Sequence, residues 1–193
     1  MDLQKLKVLI DYAIDDCQQI IQNNYRAVLS EGDFERLLSD CISNQIRYSV
    51  KTPDPDNFSV HTQISHYKNE EKEVDARVDV LLAKPKDIIQ DYSYNKNFLI
   101  YTSAETVALE LKYIKNSKLG LSKVKEDINK IFKYNNDSCY YSIVLMNSSK
   151  RVKMRVRNVL NYFNAVKSKF TIMNKESKKS IENRFFCKVI VKE

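Results

Sequence analysis

Two short segments of this chain carry acids inside otherwise apolar, strand-like runs. In Thr106-Val107-Ala108-Leu109-Glu110-Leu111-Lys112-Tyr113-Ile114, strand side chains alternate between faces, so Ala108, Glu110, Lys112 and Ile114 share one. In Ala76-Arg77-Val78-Asp79-Val80-Leu81-Leu82-Ala83, Asp79 interrupts the same kind of run, with Arg77 two residues before it on the same face. An unpaired buried charge is costly, so each of these groups needs a compensating partner. For Asp79 the plain structural partner is Arg77. If the two strands are antiparallel neighbours, however, Asp79 and Glu110 converge, and two carboxylates in one place repel unless a cation lies between them. A hard divalent ion suits that position: Mg²⁺, with Mn²⁺ as a substitute, takes one or two carboxylates, several waters and phosphate oxygens. Lys112 beside it would hold an attacking water or neutralise charge developing on a phosphate. The chemistry implied is hydrolysis of a phosphate ester by metal-activated water, without a covalent nucleophile.

The elements that must position these groups are read from periodicity. Apolar residues at three- and four-residue steps predict a helix from residue 3 to about 28. Ser30 offers the cap of a second helix, with Glu31 and Asp33 in its first turn, where negative side chains suit the helix dipole. That helix ends before Thr52-Pro53-Asp54-Pro55-Asp56-Asn57, a loop signal. Strands are expected at Phe58 to Tyr67, Val74 to Ala83, twice within Phe98 to Ile114, at Cys139 to Met146 and at Phe185 to Val191. Residues 85 to 97 read as a loop or short helix. Helical spacing recurs from Leu121 to Tyr134 and from Arg151 to Phe170, while 171 to 183 fits neither pattern. The order α-α-β-β-β-α-β-α-β predicts an α/β fold, a central mixed sheet flanked by helices.

Asp79, followed after a loop and strand by Glu110-Leu111-Lys112, resembles the signature of the PD-(D/E)XK, or restriction-endonuclease-like, nuclease superfamily. The stretch from about Ser30 to Met146 has the superfamily's element order: a helix, a β-meander carrying the Asp and the (D/E)XK, a helix and a strand. Val78 stands where the superfamily has Pro. The resemblance implies a restriction-endonuclease-like core over residues 30–147, an N-terminal helical extension over 1–29 and a basic helix-strand extension over 148–193. It further implies that Asp79, Glu110 and the Leu111 carbonyl ligate the metal, that Lys112 assists the water, and that Glu31 or Glu35 supplies the acid of the first core helix. The helix after the ExK strand would line the cleft with Lys123, Lys125, Glu126, Asp127 and Lys130. Endonucleolytic cleavage, of DNA in preference to RNA, follows from the same resemblance, as do settings such as restriction, phage defence, mobile-element processing and repair.

Charge agrees with such a partner. The chain has 32 basic and 25 acidic residues, a net +7, and phosphate contacts by Lys and Arg gain from counterion release. Arg151 and Arg155, with Arg77, Lys123 and Lys130, form the expected phosphate-backbone track, although a solvated helix face is the common meaning of such a run. No apolar run approaches the roughly 20 residues of a membrane helix, so a cytoplasmic protein is expected. Cys17, Cys41, Cys139 and Cys187 lack zinc-site spacing and read as buried free thiols. His61 and His66 read as polar surface residues, and Asp127 as a brace for a neighbouring loop. A catalytically silent nucleic-acid-binding or assembly subunit on the same fold is the alternative, and double-strand cleavage would call for a homodimer.

Overall fold

The computed structural model describes residues 1–24, 26–50, 54, 56–67, 74–91, 99–101, 106–114, 118–133, 139–147, 150–162, 167–176 and 181–192. Helix α1 (Leu3–Asn23) starts where the Asp2 side chain accepts the Lys5 amide at 2.8 Å. It buries Leu6, Ile10, Ala13, Ile14, Cys17 and Ile21 along one stripe. The helix stops short of the expected residue 28. The Asn24 side chain takes the Arg26 amide at 3.2 Å and its carbonyl takes the Ala27 amide at 2.9 Å, so a turn outcompetes the next helical bonds. Val28 stays fully buried outside the helix, which is why its apolar spacing read as helical.

Helix α2 (Glu31–Ser49) is capped as expected by Ser30, whose hydroxyl accepts the Asp33 amide at 3.1 Å. The Asp33 carboxylate in turn accepts the Leu29 amide at 3.1 Å. The Ser30 hydroxyl and then the Leu29 amide hold the Asp33 carboxyl below its ordinary value. This reciprocal clasp makes Glu31 the first helical residue and so fixes where its side chain begins. Gln45 of α2 donates to Asp16 of α1 at 2.7 Å, tying the two helices together.

The strands are β1 (Ser59–Tyr67), β2 (Val74–Ala83), β3 (Ile89–Asp91), β4 (Leu99–Tyr101), β5 (Val107–Ile114), β6 (Cys139–Asn147), β7 (Lys167–Glu176) and β8 (Ile181–Lys192). Six form one sheet in the order β1-β2-β5-β6-β8-β7, and β3 pairs with β4 apart from it. β5 and β6 run parallel, joined through α3 (Lys118–Lys133), and the other neighbours are antiparallel, so the sheet is mixed. Of the stretch 85 to 97, expected as a loop or short helix, Pro85–Asp87 is a 3-10 turn, Ile89–Asp91 is instead strand β3, and 92 to 97 lie outside the described residues.

The expected helix over Arg151 to Phe170 is two elements. Helix α4 spans Lys150–Tyr162, and Lys167 already belongs to β7, which pairs with β8 from Lys167↔Ile190 to Glu176↔Ile181. Continuous pairing along β8 overrides the helical leaning of a lysine-rich run, and the undecided stretch 171 to 183 is largely this hairpin.

One sheet face presents Val80, Leu82, Val107, Leu109, Leu111, Tyr141, Ile143 and Leu145 to the core shared with α1 and α2. Fully burying each large aliphatic side chain there contributes about 1.5–3 kcal/mol. The opposite face holds Leu81, Ala108, Glu110, Ser142 and Val144, all buried, and α3 packs against β5, β6 and β8. All the described inner residues of β6 from Tyr141 to Leu145 are buried, as its unbroken apolar run predicts. Cys17 and Cys41 are buried free thiols. Among the described residues no helix is long and apolar enough to cross a membrane.

Candidate active site

β2 and β5 are antiparallel neighbours, paired at Val80↔Leu109, Leu81↔Ala108 and Leu82↔Val107. Continuing that register by one step sets Asp79 opposite Glu110, and opposite residues of an antiparallel pair point to the same face. Backbone pairing ends at Val80. Beyond it the Leu111 amide donates to the Asp79 carboxylate at 2.7 Å, so a side chain takes over where the neighbouring strand no longer supplies a carbonyl. The next amide on that side of β5, Tyr113, donates to Glu31 at 3.2 Å. Strand amides alternate in direction, so residues 109, 111 and 113 turn theirs the same way. The seam between β2 and β5 therefore opens beyond Val80, and carboxylates from β2 and α2 line the opening.

Lys112 closes the group. Its Nζ lies 3.3 Å from Glu31 Oε1, 3.2 Å from Asp127 Oδ2 and 3.4 Å from the Leu111 carbonyl oxygen. The Lys112 and Asp127 side chains are 16% and 17% exposed, so this ion pair is largely shielded from solvent, whereas Glu31 at 45% reaches in from the rim. Burial alone would lower the pKa of the amine. The charges of Asp127 and Glu31, the bond to Asp127 and the charge of Asp79 outweigh that, and the net shift is upward from 10.5. Lys112 is thus firmly an ammonium. Three carboxylates act on this one cation, a formal excess of two negative charges within the group. Glu110 sits beside it on β5, 3% exposed and in register with the buried Ser142 of β6.

Among the described residues no group of three or more His, Cys, Asp or Glu side chains lies close enough to enclose a metal ion. Mg²⁺ asks less of a protein: one or two carboxylates and a carbonyl, with waters completing the shell. Asp79, Glu110 and the Leu111 carbonyl are donors of that type, all hard oxygen, and they lie at adjoining positions of the β2–β5 seam. The donor chemistry fits Mg²⁺ or Mn²⁺ and does not fit zinc, which favours nitrogen and sulfur.

Of the two acids offered by α2, Glu31 is the one bonded to Lys112 and Tyr113; Glu35, one turn further on, is partly buried. Asp127 braces Lys112 rather than a loop. Lys123 is exposed one turn before Asp127 on the same flank of α3. Lys125 stands about 200° round the helix from Asp127, and its amine lies 5.1 Å from the centre of the Tyr162 ring of α4. Arg155 of α4 is exposed. The side chains of Arg77, Lys130 and Arg151 lie outside the described set, as does that of His66. His61 is not the free surface residue expected: it is half-buried, with Nε2 at 2.7 Å from Ser59 Oγ. The signal was present, because Ser59 and His61 are spaced to share one strand face.

No family model and no curated protein sequence matches the chain. Two solved structures are similar in outline: NucC of P. aeruginosa ATCC27853 and NucC of E. coli MS115-1, each in a cAAA-bound form. Sequence identities are 10% and 9%, and each TM-score is 0.38. The match covers 70% of this chain and 52% of each of those, so the chain spans about half their length. The site geometry stands independently of that likeness.

Proposed function

We propose that the protein is a divalent-metal-dependent phosphodiester hydrolase that cuts within nucleic acid, with DNA as its substrate, on a restriction-endonuclease-like core. One observation carries the reading. The Asp79 carboxylate reaches across an opened β2–β5 seam to the Leu111 amide, beside Glu110 and under the Lys112 ammonium. Support also comes from element order: α2, the β1–β2 hairpin, β5, α3 and a β6 parallel to β5 follow the order the sequence resemblance implied.

Asp79, Glu110 and the Leu111 carbonyl would hold Mg²⁺, which when bound supplies an activated water and draws charge from the phosphate. The chain's own groups do the rest. Lys112, pinned by Asp127 and Glu31, presents a fixed positive charge where the phosphate becomes more negative, and a charge held in place beforehand costs no reorganisation during reaction. Glu31 also bonds the Tyr113 amide, so helix α2 keeps the open edge of β5 in position. Lys123, one turn from Asp127, offers a contact to a neighbouring phosphate.

A silent binding subunit on the same fold is favoured by one feature, the engagement of Lys112 by two carboxylates at once. Incubating the protein with plasmid and labelled oligonucleotides in Mg²⁺ or Mn²⁺ separates the two readings. The hydrolase reading expects nicking that Glu110→Gln and Lys112→Ala abolish while DNA binding persists. A wild type that binds but never cuts DNA or RNA with either metal sinks it.

A further inference from the structure

The sheet face that carries Asp79, Glu110 and Lys112 continues onto β1. His61 stands opposite Leu81 and Ser59 opposite Ala83, while Leu81 stands opposite Ala108. Opposite residues share a face, so Ser59, His61, Leu81, Asp79, Ala108, Glu110 and Lys112 all lie on the same side. The intervening residue Val60 packs against the core of the other face, as this alternation requires. His61 is the diagonal neighbour of Asp79. Such neighbours lie about 7–8 Å apart at the backbone, within reach of aromatic and long side chains.

Proton counting favours one state of the ring. The Ser59 hydroxyl has one proton and two neighbours, the Ala83 carbonyl oxygen at 3.2 Å and His61 Nε2 at 2.7 Å. A carbonyl only accepts, so both contacts are hydrogen bonds together only when the hydroxyl proton goes to Ala83 and Nε2 donates its own proton to Ser59 Oγ. The neutral ring then carries its lone pair on Nδ1. Burial holds the imidazole below its ordinary value of 6.5, so this neutral form prevails at neutral pH. The charged or titratable groups on the strands against β1 are Asp75, Arg77 and Asp79 of β2, of which Asp79 stands nearest His61 on this face, and Tyr101 of β4; α2 packs against β1 as well, with the other face of the sheet.

We propose that His61 is the proton acceptor for the attacking water at this site. The inference rests on the hydrolase reading. As the water oxygen forms its bond to phosphorus, the bond from phosphorus to the leaving ester oxygen breaks. The water proton passes to His61 Nδ1, and the leaving oxygen takes a proton from solvent. Ser59 keeps the ring turned by holding Nε2–H, so it is a positioning residue.

The test combines a spectrum and a rate profile. With only two histidines in the chain, ring nitrogen NMR on metal-free protein, assigned with His66→Gln, reads the tautomer directly. An Nε2–H ring is expected, and an Nδ1–H ring overturns the proposal. In single-turnover cleavage of a DNA duplex with Mg²⁺ between about pH 5 and pH 9, wild type should show a rising acid limb below the usual histidine range. H61A should lose that limb and run about a hundredfold slower on the plateau, with duplex binding unchanged. H61N retains a polar group near the Nδ1 position but cannot take a proton, so it should behave like H61A and covers the case in which H61A fails to fold. A wild type without the limb, or an H61A or H61N enzyme with the wild-type rate and profile, overturns the role of His61 and leaves the hydrolase reading standing. If E110Q cuts as fast as wild type, the hydrolase reading itself falls and takes this role with it.

Discussion

The seam between β2 and β5 has two halves built on different principles. From Val80 to Leu82 the strands are joined by backbone pairing, and their side chains on one face enter the core under α1 and α2. From Asp79 outward, carboxylates take the amides that a partner strand would have used, and a lysine collects the carboxylates. The first half obtains stability from apolar burial and regular bonding. The second gives up regular pairing and gathers like charges, an arrangement hard to justify by stability alone. The same strand pair thus serves as scaffold at one end and as candidate chemical centre at the other.

Substitutions in the two halves should fail differently. Glu110→Gln should lower metal-dependent cleavage about a thousandfold, near 4 kcal/mol of barrier, with the unfolding midpoint raised or unchanged, measured by nicking and thermal melts. In the paired half, Leu109→Ala should behave in the opposite way. It should cost about 2–5 kcal/mol of stability through the cavity it leaves, while the protein that remains folded, quantified by denaturant titration, cuts normally. If both substitutions impair both properties alike, the division into halves is wrong.

Smaller effects refine it. Glu31→Gln removes a rim charge from Lys112 but can still accept the Tyr113 amide, so cleavage should fall about tenfold, with under about 1 kcal/mol lost in stability. Last, the raised pKa of Lys112 stabilises the fold in full below its ordinary value of 10.5, and the contribution disappears as pH rises through the folded-state value. The contribution of this pair to the unfolding free energy should therefore be constant with pH around neutrality and drop at alkaline pH. Lys112→Met should remove that alkaline drop.

The half of the seam that forms the candidate site was the more legible in the sequence, and for a physical reason. A charge in an apolar strand stands out, so Asp79, Glu110 and Lys112 could be picked without coordinates, and the Ser30 cap placed Glu31 at the start of its helix. What escaped carries no such contrast. Asp127 was placed on the cleft helix, but its pairing with Lys112 escaped, because among Lys125, Glu126 and Lys130 an acid looks like one more solvated helix charge. The Leu111 amide that Asp79 grips is backbone, common to every residue. Strand β7 was hidden because its lysines resemble an exposed helix until the length of β8 beside it is known. His61 read as a surface residue because a Ser two positions away is ordinary in a polar strand, and only the coordinates show that Ser59 holds its ring. Position along the chain was therefore easier to read than the company each group keeps in space.

The carboxylate caps on β5 have one more consequence. A strand whose neighbour departs leaves amides that any extended peptide can latch onto, which is how sheets recruit stray chains into aggregates. Asp79 and Glu31 already occupy those latches at Leu111 and Tyr113, and their charges repel acidic intruders. The edge of β5 is thus closed to another polypeptide although its neighbouring strand has left it.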